Sequence, residues 1–373
     1  INLSWEPDTL NLVTLSGNLK HFSHSYSGYS TQRALTATGA ERWSALYDFE
    51  NRGSYNSAGA QLSYQHTFGR NGHHIVASYN FGYNDDDTRN TDSYDEIKGD
   101  FPVDYLWRNT VSTGEYLRHV GQLDYALPVG DKHLVELGAK GTFMTNTAHN
   151  VPRQGLSEDE SETVTAEEMK TEQFQNIVAA YASYTGKYGS FTGKAGIRYE
   201  HTDMGLRYRT GERPDFSTRL DDAVPDVSLS YNFTPGSSMR LGYQMRISRP
   251  GLWNLNPYRD ESLGAVKYGN PDLKSEVSHG LSVSYNNYGS KLSGGIRAGY
   301  NYVGNGIMDY MFAEQDIIHT TYANIGRQQT VRLDLNGQWT IIPDMSLSIF
   351  MSGYYKDMKA DAPRLTAHKS GWG

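Results

Sequence analysis

Residues 226–247 read DVSLSYNFTPGSSMRLGYQMRI, and this stretch decides the fold class. Apolar and polar residues alternate from Asp226 to Phe233 and again from Met239 to Ile247, on either side of a Thr-Pro-Gly-Ser turn signal. Because side chains two residues apart share one face of a β-strand, each half predicts a strand with one apolar and one polar face. The turn signal between them predicts an antiparallel hairpin.

The same alternation recurs at 58–68, 191–199 and 331–341. Each run has about 10 residues, which is the length that a tilted strand needs to cross the hydrocarbon core of a membrane. Short turn signals alternate with long polar connections, an asymmetry typical of outer-membrane barrels. The predicted long connections are 25–52, 84–114, 146–172, 203–222, 248–275 and 357–368. We therefore predict an all-β fold, a transmembrane antiparallel up-and-down β-barrel with short periplasmic turns and long extracellular loops.

The composition agrees with this fold class. The 373 residues include 38 Gly and 28 Tyr but no Cys, and the net charge is −8. The mean hydropathy of −0.63 is compatible with a barrel, whose strands alternate lipid-facing and lumen-facing residues. The lack of Cys excludes disulfides and thiolate metal sites, and the acidic balance argues against nucleic acid as a partner.

Charged residues fall on the polar face of several predicted strands. A charge on the lipid side at the membrane midplane would cost about 2–4 kcal/mol, so we expect this face to line the lumen. The predicted lumen-lining residues are Lys194, Arg198, Arg240, Arg246, Arg297, Arg332 and Asp334. A polar path, a docking surface for a plug and plain solvation of a wide interior all fit this pattern.

Two acidic segments, from Asp85 to Asp104 and from Glu158 to Glu172, are candidate calcium sites because hard cations bind several carboxylate oxygens. Neither has EF-hand spacing, so solvated surface loops are the favoured interpretation. The adjacent residues His73 and His74 would point to opposite faces of a strand and do not predict a metal site. The sequence contains none of the common catalytic or nucleotide-binding motifs, so we predict neither a cofactor nor enzymatic activity.

Three short pieces of sequence suggest a family: SRP at 248–250, LNPY at 255–258 and GNPDLKSE at 269–276. A weaker piece is YANIG at 322–326. In these pieces the chain resembles the TonB-dependent receptors of the Bacteroidetes, within their outer-membrane β-barrel family. The resemblance implies a location in the bacterial cell outer membrane, a 22-stranded barrel, an N-terminal plug and a segment that contacts the TonB complex.

Within that family the loop at 246–279 lies at the external mouth of the barrel, where a structural role is favoured over ligand binding. From their place in this loop, the candidate ligand contacts are Asn256, Tyr258, Arg259, Tyr268 and Asn270. We count about fourteen strands in a single β-barrel domain, residues 1–373. We expect this domain to be truncated at both ends, without the plug.

The favoured function is that of an energised receptor that takes up a scarce ligand, namely a siderophore, cobalamin, a glycan or a peptide. Its expected partners are outer-membrane lipid, the TonB complex and a surface lipoprotein. A porin-like passive channel and a surface adhesin or structural barrel are the alternatives. An upstream plug domain would favour the receptor. Bulk conductance without energy input would favour the channel, and binding to host matrix would favour the adhesin.

Overall fold

A computed structural model describes residues 1–36, 39–69, 71–101, 105–157, 168–262, 265–314, 317–362 and 365–373. In this part of the chain, seventeen strands form one sheet, and helix α1 spans Leu252–Leu255. The predicted all-β antiparallel fold is confirmed. No helix among these residues has both the length and the apolar character needed to cross a membrane.

The first ten strands are β1 (Asn2–Asp8), β2 (Asn11–Leu35), β3 (Glu41–Thr67), β4 (His74–Gly99), β5 (Trp107–Val129), β6 (His133–Gly155), β7 (Met169–Tyr188), β8 (Phe191–Tyr208), β9 (Phe216–Thr234) and β10 (Ser237–Ser248). The others are β11 (Asp260–Ser262), β12 (Ala265–Lys267), β13 (Glu276–Tyr288), β14 (Leu292–Glu314), β15 (Ile317–Ile342), β16 (Met345–Ala362) and β17 (Leu365–Trp372).

Strands that follow one another in the chain also pair in the sheet. The series from β1 to β10 and from β13 to β17 is antiparallel throughout, and β10 pairs directly with β13. Strands β11 and β12 belong to the connection between them, and β12 adds to β15 in parallel. Among the residues described, no ladder joins β1 to β17.

The two faces of this sheet differ in chemistry. On β10, Met239 and Leu241 are 42% and 43% exposed, and Leu241 lies beside Leu229 of β9 and Val283 of β13, which are exposed as well. Arg240 points to the opposite side. We call the face with Leu241 the outer face and the face with Arg240 the inner face. A continuous exposed apolar band of this kind is what lipid requires.

The strands are longer than the sequence predicts. In the predicted connection 25–52, residues 25–35 and 41–52 are paired strand. Strands also enter 84–114, 146–172, 203–222 and 357–368 from both sides. These predicted loop bounds are therefore wrong, whereas 248–275 does separate β10 from β13. The physical reason is that strand pairing needs only backbone N–H and C=O groups. The apolar alternation used to find strands is required only where one face meets lipid.

Candidate functional site

A cavity of about 1130 Å³ lies on the inner face, against β8–β10 and β13–β15. Small residues such as Gly242, Ser282 and Gly299 pair in one row across β10, β13 and β14, and they leave this space open. Six of the seven predicted lumen-lining residues border the cavity: Lys194, Arg240, Arg246, Arg297, Arg332 and Asp334. The structure thus brings these six side chains together on one concave surface.

The cavity carries more positive than negative charge. The Lys194 Nζ atom lies 2.6 Å from a carboxylate oxygen of Glu136 on β6, and Arg332 Nε lies 2.9 Å from Asp334 Oδ1. Arg240 and Arg297 form no ion pair with any described residue, and they flank Ser284 in one row of the sheet. Unpaired guanidinium groups on a wet surface favour contact with anionic or polar groups.

The seventh predicted residue, Arg198, lies on the inner face of β8 but outside the lining of the cavity. It bonds the carboxylate of Glu200, which also binds the guanidinium of Arg249. Arg249 Nε donates a second hydrogen bond of 2.9 Å to the fully buried hydroxyl of Thr202. The Arg of the SRP piece therefore fastens the start of the following loop to the sheet.

We call residues 249–275 the latch loop, because its described residues, 249–262 and 265–275, return to the inner face beyond the cavity. Leu255 and Leu273 of this loop are 0% and 2% exposed, and they pack with Met204 of β8. Partly buried apolar side chains from β9, β14 and β15 surround them: Phe216, Leu220, Ile307 and Tyr322. Each fully buried Leu contributes roughly 1.5–3 kcal/mol to the attachment of the loop.

Two strand amides hold the far end of the latch loop. Asn324 of β15 accepts a 2.9 Å hydrogen bond from the Lys274 backbone N–H and donates one of 3.0 Å to the Lys274 carbonyl oxygen. Asn305 of β14 donates to the Ser275 carbonyl oxygen at 2.7 Å and accepts from the Val277 backbone N–H at 2.8 Å. These bonds replace the strand ladder where the loop enters β13, and they explain why Asn stands in the YANIG piece.

Two of the candidate ligand contacts are engaged inside the protein. Asn256 is 5% exposed, donates to the Tyr208 hydroxyl at 2.6 Å and accepts from the Tyr258 backbone N–H. Asn270 donates to the Tyr322 carbonyl oxygen at 3.0 Å and accepts from the Asp272 backbone N–H. Their amides therefore have partners without any ligand, and their role as ligand contacts stays a prediction.

The other three candidates retain accessible surface. Tyr258 is half-buried beneath the guanidinium of Arg213, whose carbon lies 4.1 Å from the ring centroid. Arg259 is exposed and lies over the Tyr268 ring at 5.3 Å. Stacked Arg and Tyr groups of this kind are frequent at binding surfaces.

The acidic segments provide no metal centre in the part of the chain that the structure describes, where no three His, Asp or Glu side chains are grouped to hold a metal ion. Asp104 and the stretch from Glu158 to Glu167 lie outside the described residues, so the alternative of calcium binding stays untested there. His73 hydrogen-bonds the Tyr125 hydroxyl at 2.9 Å, whereas His74 contacts the Gly72 carbonyl oxygen.

The sequence analysis does not identify an aromatic strip on the inner face of β2–β4, because it predicts 25–52 and 84–114 as connections. We define this strip by the rings of Phe22, His24, Tyr26, Tyr47, Phe49, Tyr55 and Tyr94. The available signal was alternation of aromatic and polar residues in 21–29 and 47–55, with the aromatic residues on the side opposite to lipid.

Comparison with solved structures shows the same fold. The RagAB peptide importer in its closed-closed state aligns with a TM-score of 0.58 and 12% identity over 99% of this chain and 46% of that one. The ferric-catecholate import receptor Fiu from E. coli K12 aligns with a TM-score of 0.55 and 11% identity, over 97% of this chain and 67% of that one. The copper transporter OprC aligns with a TM-score of 0.53 and 10% identity, over 96% of this chain and 64% of that one.

The chain therefore spans between 46% and 67% of these three proteins. No curated protein sequence matches it. The model of the outer membrane protein beta-barrel family matches residues 66–372, which is most of the chain. This match agrees with the apolar outer face and the polar inner face of the sheet. The chain is an outer-membrane protein and belongs to the outer membrane protein beta-barrel family.

Proposed function

We propose that this protein is an outer-membrane receptor that takes up a scarce ligand with energy supplied through the TonB complex. The observation that carries the proposal is the cavity of about 1130 Å³ on the inner face of strands whose outer face is apolar. A polar surface enclosed by lipid-facing strands provides a path for a polar ligand across the membrane. The three aligned proteins are an importer, an import receptor and a transporter, which supports transport.

The latch loop has a structural role in this proposal. Its buried leucines and its hydrogen bonds to Asn305 and Asn324 fix it to the wall, so it shapes the mouth of the path. Ligand contact is assigned to Tyr258, Arg259 and Tyr268, whose side chains keep accessible surface. Asn256 and Asn270 act by holding the loop in shape.

The SRP, LNPY and GNPDLKSE pieces support a larger design for the complete receptor. We propose a barrel of 22 strands, a plug domain, a segment that contacts TonB and a surface lipoprotein as partner, in an organism of the Bacteroidetes. The ligand classes considered are siderophores, cobalamin, glycans and peptides. Catalysis has no part in the proposal.

Growth under limitation tests this function. A strain lacking the gene is grown with one limiting nutrient at a time: a ferric siderophore, cobalamin, a glycan or a peptide. We expect one defect, repeated in a strain lacking TonB and reversed by the intact gene. A defect that persists with the gene restored, or that is absent without TonB, contradicts energised uptake. Steady conductance of the complete protein in planar bilayers without energy input would instead support the porin-like channel.

A further inference from the structure

The amphipathic pattern of β2–β4 changes sides along the strands. On the outer face, Leu15 of β2 pairs with Leu62 of β3, and both side chains are exposed in the apolar band. Three outer rows further, the outer face is polar, where His21 and Asn56 pair and hydrogen-bond at 2.8 Å. Since charged and polar side chains do not face hydrocarbon, this part of the sheet stands in water outside the membrane.

The inner face changes in the opposite sense at the same height. Lys20 and Ser57 pair there, and the next inner row holds Phe22 and Tyr55. Beyond this row the inner face of β2 and β3 carries further rings among small and polar residues: His24, Tyr26, Phe49, Tyr47 and Trp43. The outer face there is mostly Ser, Thr, Asp, Glu and Arg. Cross-strand aromatic pairs can stabilise a sheet on either of its faces, so sheet stability alone does not explain why these rings lie on the inner face.

The rings of the strip form one continuous series. Centroid distances are 5.8 Å from Tyr55 to Phe22, 6.0 Å from Phe22 to His24 and 5.9 Å from His24 to Tyr26. The series continues to Phe49 at 6.2 Å, to Tyr47 at 5.9 Å and to Tyr94 at 5.4 Å. The strip therefore runs along β2 and crosses to β3 and β4.

Glycines opposite two of the rings let them lie close to the sheet. A Cβ on Gly53 would come within 2.7 Å of the His24 ring, and a Cβ on Gly28 within 3.0 Å of the Phe49 ring. Phe22 and Tyr26 nevertheless remain 52% and 56% exposed. The part of the strip around Phe22 and Tyr26 thus presents accessible ring surface towards the inside of the barrel.

Hydrogen-bonding groups lie beside the rings. The Asn51 amide oxygen hydrogen-bonds His24 Nε2 at 2.7 Å, and the Tyr47 hydroxyl donates to Asp92 at 2.7 Å. Asp86 pairs with Tyr55 on the same face. On the same inner face, Lys20 lies in the row beside Phe22 and Arg108 pairs with Asp92. The carboxylates of Asp86 and Asp92 balance these two positive charges. This surface offers aromatic faces, amides and carboxylates, and it does not favour a highly anionic ligand.

A ligand that fits both the aromatic rings and the neighbouring amide and carboxylate groups has an apolar C–H face and a rim of hydroxyl groups. C–H groups are attracted to the negative face of an aromatic ring, and hydroxyls bond to amide and carboxylate oxygens. We propose that the aromatic strip is an extracellular binding site for a linear, neutral oligosaccharide. This inference rests on the proposed uptake function for its physiological meaning, because it places a glycan among the ligand classes named above.

Binding to the complete protein tests the proposal directly. The protein is purified in a detergent without a sugar head group, and maltohexaose, cellohexaose and mannohexaose are titrated by calorimetry. We expect at least one to bind with a Kd of about 1 mM or tighter. Failure of all three overturns the proposal. A tyrosine-rich hexapeptide that binds more tightly than every sugar would assign the strip to peptides and overturn it as well.

Matched variants locate the site. Tyr26→Ala and Phe22→Ala should each weaken binding about tenfold through loss of stacking, and Tyr26→Phe should retain it. Tyr29→Ala is the control, since Tyr29 is 79% exposed on the outer face of the same strand. Near-UV circular dichroism checks that each variant is folded. Equal losses in Tyr29→Ala and Tyr26→Ala, or no loss in Phe22→Ala, contradict the site. TonB-dependent growth without sugar binding would overturn this inference alone.

Discussion

Gly269 donates its backbone N–H to the carbonyl oxygen of Asn256 at 2.7 Å, which joins the two signature pieces of the latch loop. A Cβ on Gly269 would lie 2.6 Å from that same oxygen. We predict that Gly269→Ala destabilises the loop by about 1–3 kcal/mol through overpacking. Hydrogen exchange of residues 250–275 should increase while the strands keep their protection.

The control for this substitution is Gly251→Ala in the same loop, where a new Cβ would meet no atom within 4 Å. Gly251 also has an ordinary extended backbone. Comparable exchange rates in the two variants would show that the close approach of Gly269 and Asn256 does not hold the loop.

Asn324 provides a second test of the latch. Its side chain makes three hydrogen bonds of 2.9–3.0 Å to Lys274 and Asn305 backbone groups. We expect Asn324→Ala to cost about 1–3 kcal/mol, because the backbone groups lose their partners. Limited proteolysis should then cut within 270–277. Asn232→Ala, an exposed amide beside a short turn, should leave the digestion pattern unchanged.

The assignment of the two faces can be tested on neighbouring strands. Leu241→Arg on the outer face should reduce the free energy of unfolding in lipid vesicles by about 2–4 kcal/mol near the midplane. Ser282→Arg, which points into the cavity, should change it by less than about 0.5 kcal/mol. Urea titration of the folded protein in vesicles measures both. A larger loss for Ser282→Arg would reverse the assignment of lipid and lumen.

A pH-dependent contribution is expected at the outer end of β7 and β8, beyond the apolar band. Arg209, and next Arg207, hold the pKa of Glu172 below its ordinary value of 4.5, with contacts of 2.5 Å and 2.7 Å. A lowered carboxyl pKa stabilises the folded hairpin above pH 4.5, and this contribution disappears as the pH falls through the lower folded value.

Glu172→Gln should therefore lower the stability of this hairpin at pH 7 by about 0.2–1 kcal/mol, since the pair is partly solvated. The difference from the native protein should vanish at pH values below the folded pKa. Hydrogen exchange of residues 207–210, corrected for the intrinsic rate at each pH, measures it. Glu212→Gln serves as control because Glu212 forms no ion pair with any described residue. A difference that persists in acid would exclude the ion pairs as its cause.

The hairpin of β9 and β10 could be predicted from the sequence because lipid imposes a repeating rule on it. Leu229 and Leu241 both face lipid, so the alternation of apolar and polar residues around them indicates both the strand and its register. The same rule placed Arg240 and Arg297 on the inner face. It covers only the part of each strand that crosses the bilayer.

The rest of the site followed no repeating rule. The burial of Leu255 and Leu273 against Met204 depends on how a single loop folds back, which no periodicity encodes. The strand beyond Lys20 was missed because polar and aromatic residues there replace the expected aliphatic band. Water on both sides of a sheet permits either arrangement, so composition did not distinguish a paired strand from a connection.

The exchange of sides between the row of Leu19 and Ala58 and the row of His21 and Asn56 also limits the membrane that this protein tolerates. Asp85 extends the second row on the outer face. In a thicker bilayer these groups would sink among acyl chains, and the wall would have to tilt or the lipid to thin around it. On the side of the barrel formed by β2 and β3, the position of the membrane surface is therefore fixed to the interval between two adjacent rows of outer-face residues.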